Sequence, residues 1–181
     1  MPLMKNKGFT SKDYWSLPDG KRAELIDGTL YDMAPPSFQH QKLSMELSVI
    51  LKNHIIAKKG SCEVISAPFA VNLFSDDETW VEPDISVICD KSKITDRGCN
   101  GAPDLIIEIV SPSSRRIDYN KKNGLYRDAG VREYWIIDPD KERVTIYRYV
   151  EDEAPVFYPF DSPIEVKIFS DLSMTISELM K

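Results

Sequence analysis

The sequence predicts one α/β or α+β domain in which helices flank a mixed central β-sheet. A strand, a helix and a second strand follow one another from Asp104 to Asp138, and this order predicts a parallel pair with a right-handed crossover. A hairpin and one long helix precede this unit. A chain of 181 residues is long enough to bury its own core, so residues 1–181 are interpreted as a single domain.

The N-terminal half alternates between helical and extended patterns. A short helix is predicted at Ser11–Pro18. Asp27-Gly28 lies between two arms of alternating apolar residues, which is a hairpin signal because glycine adopts positive φ without steric cost. After the break at Pro35-Pro36, apolar residues recur at helical spacing from about Ser37 to Lys59.

The second half predicts a buried sheet. Extended segments at about Glu63–Phe74 and Thr79–Cys89 lead into a polar loop over 90–101. Asp104–Val110 is apolar on both faces apart from one glutamate, as in a central strand. The remaining predicted elements are a helix from Ser113 or Ser114 to about Ala129, strands at Glu133–Asp138, Val144–Tyr149 and near Ile164–Phe169, and a helix from about Ser173.

The composition indicates which cellular compartment and which binding partners to expect. The net charge of −6 argues against a broad basic surface for nonspecific nucleic-acid binding, although a local basic patch remains compatible with it. Cys62, Cys89 and Cys99 have no paired short spacing, so neither disulfides nor a zinc site is predicted and a reducing compartment is expected. The N-terminus lacks the apolar stretch of a signal peptide, and no apolar run approaches the ~20 residues of a membrane helix. We therefore expect a cytoplasmic protein without membrane contact.

Glu108 is the most informative residue of the chain. It stands inside Leu-Ile-Ile-Glu-Ile-Val, where the pattern predicts burial. An ionised carboxylate in an apolar interior is costly unless it is paired, protonated or bound to a metal. Glu108 must therefore have a partner, either a metal ion or, alternatively, the basic side chain of a structural ion pair.

Asp84 is the second carboxylate of interest, in Val-Glu-Pro-Asp-Ile. If its segment neighbours the strand of Glu108, two carboxylates converge, which a hard cation between them would stabilise. Mg²⁺ prefers oxygen ligands and retains several waters, so Asp84 and Glu108 are sufficient protein ligands. The alternative for Asp84 is a turn or edge-strand carboxylate that accepts backbone hydrogen bonds.

Lys122 is the candidate cation of the site. Asp118, Lys122 and Tyr126 are each four residues apart and line one face of the helix that follows the Glu108 strand. Lys121 is a rival, about 100° around the helix. The alternative for Lys122 is an ordinary surface pair with Asp118, which would contribute only ~0.3–0.5 kcal/mol.

Several motifs, in order, resemble those of the Uma2 family, which is assigned to the PD-(D/E)XK nuclease superfamily with its restriction-endonuclease-like core. The resemblance runs from about Asp13 to the C-terminus. It rests on Glu-Leu-Ile-Asp-Gly (24–28), Ala-Pro-Pro-Ser followed by His40, Val-Glu-Pro-Asp-Ile (81–85), Ala-Pro-Asp-Leu-Ile-Ile-Glu-Ile-Val-Ser-Pro-Ser (102–113) and Ala-Gly-Val-Arg-Glu-Tyr-Trp-Ile-Ile-Asp-Pro (129–139).

The resemblance implies a set of site residues. Asp84 and Glu108 match the metal-binding acids of the superfamily, with the backbone carbonyl after the second acid as a further ligand. Val110 stands where the superfamily motif has its lysine, and Lys122 matches the position from which Uma2-like sequences supply it. Glu24 matches an acidic residue near the N-terminal side of the site, although a solvent-facing hairpin residue is the alternative. His40 has either a catalytic role or a capping or packing role.

The expected function is that of a Mg²⁺-dependent endonuclease that hydrolyses phosphodiester bonds in DNA with metal-activated water. Mn²⁺ should substitute for Mg²⁺, and a homodimer is expected because duplex cleavage usually needs two sites. The alternative is a catalytically degenerate domain of the same fold that binds nucleic acid or a protein. A hydrolase acting on another phosphorylated substrate is a third class.

Overall fold

The central sheet of the computed structural model, which describes residues 8–151 and 153–181, has six strands. In chain order they are β3 (Glu63–Ser66), β5 (Ile85–Ile88), β8 (Leu105–Ile109), β9 (Glu133–Asp138), β10 (Arg143–Arg148) and β11 (Val156–Pro159). Their spatial order is β11-β10-β9-β8-β5-β3. Strands β8 and β9 are parallel, and the other neighbours are antiparallel. The predicted mixed sheet is therefore confirmed.

The longest helix, α2 (Phe38–Ala57), packs on one face of this sheet. Ser37 caps it by accepting a hydrogen bond from the backbone N–H of His40 at 3.2 Å. The buried side chains of the helix are Leu43, Leu47, Leu51 and Ile55, with Ser44 beside them. They meet Ile107, Trp135 and Ile137 of the sheet, as the helical spacing in the sequence predicted.

The helix between β8 and β9 covers the other face of the sheet, and it differs from the prediction. Residues Ile117–Lys122 form a π-helix, and α3 (Asn123–Ala129) continues from it before Gly130 ends the helix at a φ of 92°. The sequence predicted one regular helix to Ala129. A π-helical segment of about one turn is too short for its sequence pattern to differ from that of an α-helix. Such segments are frequent at functional sites.

The smaller N-terminal elements lie beside the sheet. Helix α1 (Ser11–Tyr14) precedes the hairpin of β1 (Ala23–Ile26) and β2 (Thr29–Asp32). The predicted turn at Asp27-Gly28 is confirmed, with φ of 49° and 71°. Leu25 and Trp80 exchange backbone hydrogen bonds of 2.8 and 2.7 Å, which holds the hairpin against the segment leading into β5.

Several short elements differ from their predicted bounds. The region predicted as a polar loop contributes two strands to a three-stranded sheet of β4 (Val71–Asn72), β7 (Gly98–Asn100) and β6 (Ile94–Thr95). Near the C-terminus lie β12 (Ile164–Glu165), β13 (Ser173–Met174) and α4 (Ile176–Leu179). The strand predicted near Ile164–Phe169 is therefore shorter, and the unpredicted β13 occupies the start of the predicted helix, so the helix begins later. Short 3-10 turns occupy Lys91–Lys93, Pro139–Lys141 and Tyr149–Glu151.

The prediction of unpaired cysteines is wrong for two of the three. Cys62 and Cys89 form a disulfide, whereas Cys99 is free and buried. Glu63 pairs with Ile88 in antiparallel register, so the preceding and following cysteines lie opposite each other across the two strands. This proximity comes from strand register and not from the sequence separation of 27 residues, and it removes the support for a reducing compartment. None of the described helices has both the length and the apolar character needed to cross a membrane.

Candidate active site

Asp84 and Glu108 meet where two neighbouring strands of the central sheet run side by side. Asp84 directly precedes β5, and Ile85 pairs with Ile107 of β8 in antiparallel register, which places Asp84 opposite Glu108. The backbone N–H of Asp84 donates to Oε2 of Glu108 at 3.3 Å. The convergence of the two acids therefore follows from the strand order β8-β5.

Both hydrogen-bonding contacts of the Asp84 carboxylate involve the same oxygen, Oδ2. Oδ2 accepts the backbone N–H of Ile109 at 2.7 Å and lies 3.1 Å from Nε2 of His40. Burial lowers the pKa of His40, but the hydrogen bond and charge of Asp84 outweigh burial and leave that pKa raised. His40 Nδ1 is buried and has no hydrogen-bond partner among the described residues.

The Glu108 carboxylate is held by two side chains from the helical segment that follows its own strand. Its Oε1 accepts a hydrogen bond of 2.9 Å from Lys122 and one of 2.7 Å from the Tyr126 hydroxyl. Lys122 also contacts Glu24 at 2.8 Å and Asp118 at 3.2 Å. One ammonium group thus contacts three carboxylates.

This cluster is almost entirely removed from solvent. The side chains of Lys122, Glu108 and Glu24 are 5%, 5% and 6% exposed. Lys122 is therefore not the ordinary surface residue that was the alternative, and Glu24 does not face solvent.

The cluster has more acidic than basic groups. Burial raises the pKa of Glu24 and raises that of Glu108 well above its usual value, although Lys122 opposes both shifts. Burial alone would lower the pKa of Lys122, but the charges of Glu108 and Glu24 raise it well above its usual value. Lys122 therefore stays charged, and without another cation Glu24 and Glu108 retain a proton to higher pH than free glutamates do. A divalent cation would supply the missing positive charge.

The raised pKa of Glu108 predicts how stability depends on pH. A carboxyl whose pKa is higher in the folded than in the unfolded state stabilises the fold below the unfolded value and loses that contribution as pH rises through the folded value. We expect Glu108→Gln to gain stability relative to the parent protein as pH increases above the ordinary glutamate range. Thermal unfolding of both proteins without metal, from mildly acidic to alkaline pH, measures this. If the thermal stability of the two proteins changes with pH in the same way, the prediction is contradicted.

The donor atoms fit a magnesium site with two protein carboxylates. Both hydrogen bonds to the Asp84 carboxylate fall on Oδ2, and Oε2 of Glu108 takes only the long bond from Asp84 N–H. Each acid therefore has an oxygen with capacity for a cation. Within residues 8–151 and 153–181, no three His, Cys, Asp or Glu side chains are grouped so that they could hold a metal ion together. Magnesium commonly takes one or two carboxylates and retains waters, which agrees with this set.

Two basic residues of the same helical segment, Lys121 and Arg115, have partners of their own. Lys121, the rival of Lys122, donates to the Tyr31 hydroxyl at 2.7 Å and lies 3.9 Å from Oδ2 of Asp27, so its partners differ from those of Lys122. Arg115 near the helix start is occupied by Asp138 and Asp140, both at 2.8 Å. The contribution of Tyr126 to the site was missed, although its spacing of four from Lys122 was a usable signal.

The mixed sheet, the flanking helices and the acid–lysine cluster beside adjacent strands define a domain of the restriction-endonuclease-like class. The chain belongs to the Uma2 family, whose family model, described as "Putative restriction endonuclease", matches residues 11–177. This membership confirms the resemblance seen in the sequence motifs.

The chain is also similar to two Synechocystis proteins and to one solved structure. Uncharacterised protein sll1609 of Synechocystis sp. is 30% identical over 84% of this chain and 87% of its own, and slr1290 is 25% identical over 76% and 72%. The fold is similar to a crystal structure described as "a putative nuclease belonging to DUF820" from Anabaena variabilis. That comparison has a TM-score of 0.76 and 24% identity, and it covers 95% of this chain and 97% of the other.

Proposed function

We propose that this protein is a Mg²⁺-dependent endonuclease that hydrolyses phosphodiester bonds in DNA. The observation that carries the proposal is the meeting of Asp84 and Glu108 beside the buried Lys122, with more carboxylates than one lysine can neutralise. The family description "Putative restriction endonuclease" and the description of the similar structure as "a putative nuclease" support this reaction class. Mn²⁺ is expected to replace Mg²⁺.

Three chain residues have distinct tasks in the proposed site. Asp84 and Glu108 would hold the cation, together with the backbone carbonyl of Ile109. When bound, the metal would supply a Lewis acid for the phosphate and lower the pKa of water. Lys122 places a fixed positive charge beside Glu108. In the proposed site this charge would offset the negative charge that develops on the phosphate.

The remaining residues orient these groups. The Ile109 N–H and His40 fix the Asp84 carboxylate through Oδ2. Tyr126 fixes Glu108 by its hydroxyl, and Glu24 and Asp118 hold Lys122. Fixed rotamers matter because a displacement of about 1 Å at a reacting group can cost on the order of 10²-fold in rate.

Titration with Mn²⁺ tests the proposed site directly. We expect saturable binding to the parent protein and a loss of affinity of more than about 100-fold in Asp84→Asn, because an amide keeps the shape but removes a charged ligand. Asp96→Asn is the matched control, since Asp96 is an exposed loop residue. Isothermal titration calorimetry provides the measurement. Equal binding by all three proteins would refute the assignment of Asp84.

A second candidate function has a specific observation in its favour. Val110 stands where the superfamily motif lysine is expected, and Lys122 already pairs with Glu108. A catalytically degenerate domain that binds nucleic acid or a protein would retain such an ion pair without recruiting metal. That function predicts DNA binding unaffected by Mn²⁺ or chelator, whereas the endonuclease predicts Mn²⁺-dependent cleavage that Asp84→Asn abolishes.

A further inference from the structure

The outer side of α2 carries large apolar side chains that the fold leaves uncovered. Phe38, Met45, Val49 and Ile56 are 84%, 64%, 46% and 61% exposed. Successive residues of an α-helix are about 100° apart around its axis, so all four side chains lie in a sector about 40° wide. We call these four residues the apolar stripe of α2.

The apolar stripe of α2 is separate from the face that builds the core. On the opposite face of the same helix lie Leu43, Leu47, Leu51 and Ile55, which are buried on the sheet. Folding of the monomer therefore does not explain the stripe. Aligned exposed apolar residues of this kind mark interaction sites more often than scattered ones do.

The size of the stripe suits the centre of a protein interface. Its four side chains expose on the order of 400 Å² of apolar surface, comparable with the largest patch on a typical monomer. The 20-residue helix is about 30 Å long. A stable interface buries about 800 Å² per partner, with an apolar centre and a polar rim. Gln41, Lys42 and Lys52 flank the stripe and would provide part of that rim.

The spacing of the stripe suits a second copy of this chain as the partner. Its residues are separated by seven, four and seven positions, so the pattern reads the same in both directions. A two-fold axis pairs residue i of one chain with residue j of the other, and j with i. When two α2 helices pack antiparallel with the two-fold axis at the level of Leu47, Phe38 faces the partner's Ile56 and Met45 faces the partner's Val49. Every residue of the apolar stripe of α2 then faces another residue of the stripe.

We propose that the apolar stripe of α2 is a two-fold interface between two copies of this chain, with the α2 helices antiparallel. This inference names the surface and register of a dimer, and it does not depend on the nuclease reaction. The proposed metal-binding acids lie at the sheet, where Asp84 is 3.1 Å from His40 of α2, so the interface leaves them within each protomer.

Sedimentation velocity over a range of micromolar concentrations tests the interface. We expect a particle of twice the 20.7 kDa chain mass. Met45→Glu places two carboxylates in the apolar centre and should weaken dimerisation by at least about 100-fold. Val150→Glu is the matched control, because Val150 is 71% exposed and lies outside the stripe, and it should remain dimeric. Mn²⁺ binding by Met45→Glu should equal that of the parent, which separates this test from that of the catalytic site.

Cysteine pairs test the antiparallel register. A mixture of Met45→Cys chains with Val49→Cys chains should form a disulfide-linked pair under oxidation, while neither variant alone does so. Cross-linking by Met45→Cys alone to the same extent would overturn the register. A monomeric parent protein, or a dimer that Met45→Glu leaves intact, would overturn the proposal and assign the stripe to another occupant.

Discussion

Replacing Lys122 with methionine should lower the free energy of unfolding by about 3–5 kcal/mol, the cost of removing one partner from a buried ion pair. Methionine retains most of the apolar stem but removes the ammonium that contacts Glu24, Glu108 and Asp118. These acids are as buried as the lysine, so they must then be protonated or drawn towards solvent. Urea denaturation near neutral pH, without divalent cations, measures the difference.

Lys121→Met is the matched control for this prediction. Lys121 is the neighbouring residue, is partly exposed and donates to the Tyr31 hydroxyl, so its loss should cost less than about 1 kcal/mol. Similar effects of the two substitutions would show that the buried cluster does not depend on Lys122. Added Mn²⁺ should recover part of the stability of Lys122→Met, because a divalent cation can neutralise the same acids.

Replacing Glu108 with glutamine should reduce Mn²⁺-dependent cleavage of plasmid DNA by about 10³-fold or more. Glutamine preserves the size of the side chain and can still contact Lys122 and Tyr126, but it no longer supplies an anionic ligand. A bound metal contributes several kcal/mol to the transition state, and about 1.4 kcal/mol corresponds to tenfold in rate. Nicking of supercoiled plasmid under single-turnover conditions measures the rate.

Glu78→Gln controls for a general effect of removing a carboxylate, because Glu78 is an exposed loop residue. This variant should cleave plasmid DNA at the parental rate. The unfolding curves of Glu108→Gln from the pH experiment establish that the variant is folded. Nicking by Glu108→Gln at the parental rate would identify a contaminating nuclease and contradict the enzymatic function. No cleavage by any of the three proteins, together with DNA binding, would favour the degenerate domain.

Much of the fold could be predicted because its signals are local. The run from Leu105 to Ile109 is apolar on both faces and was correctly identified as a central strand. The helical spacing of Leu43, Leu47 and Leu51 predicted α2, and Asp27-Gly28 predicted the hairpin. The isolated Glu108 among aliphatic residues also predicted a buried carboxylate with a partner, and Lys122 and Tyr126 are its partners.

What could not be predicted depends on contacts between distant segments. The Cys62–Cys89 disulfide follows from the register of β3 and β5, and the contact of Glu24 with Lys122 joins a hairpin to a helix far along the chain. The proximity of His40 to Asp84 likewise depends on how α2 packs on the sheet. The exposure of the apolar stripe of α2 could not be read from the sequence either, because an aliphatic residue on a helix can face the core or the solvent.

A crystal structure with Mn²⁺, with anomalous data at the manganese edge, tests whether Asp84 and Glu108 share one cation. The account predicts a single anomalous peak in each protomer, about 2.1–2.2 Å from a carboxylate oxygen of Asp84, one of Glu108 and the carbonyl oxygen of Ile109. Manganese bound elsewhere, or saturating Mn²⁺ with no peak and Glu108 still held only by Lys122 and Tyr126, would contradict it.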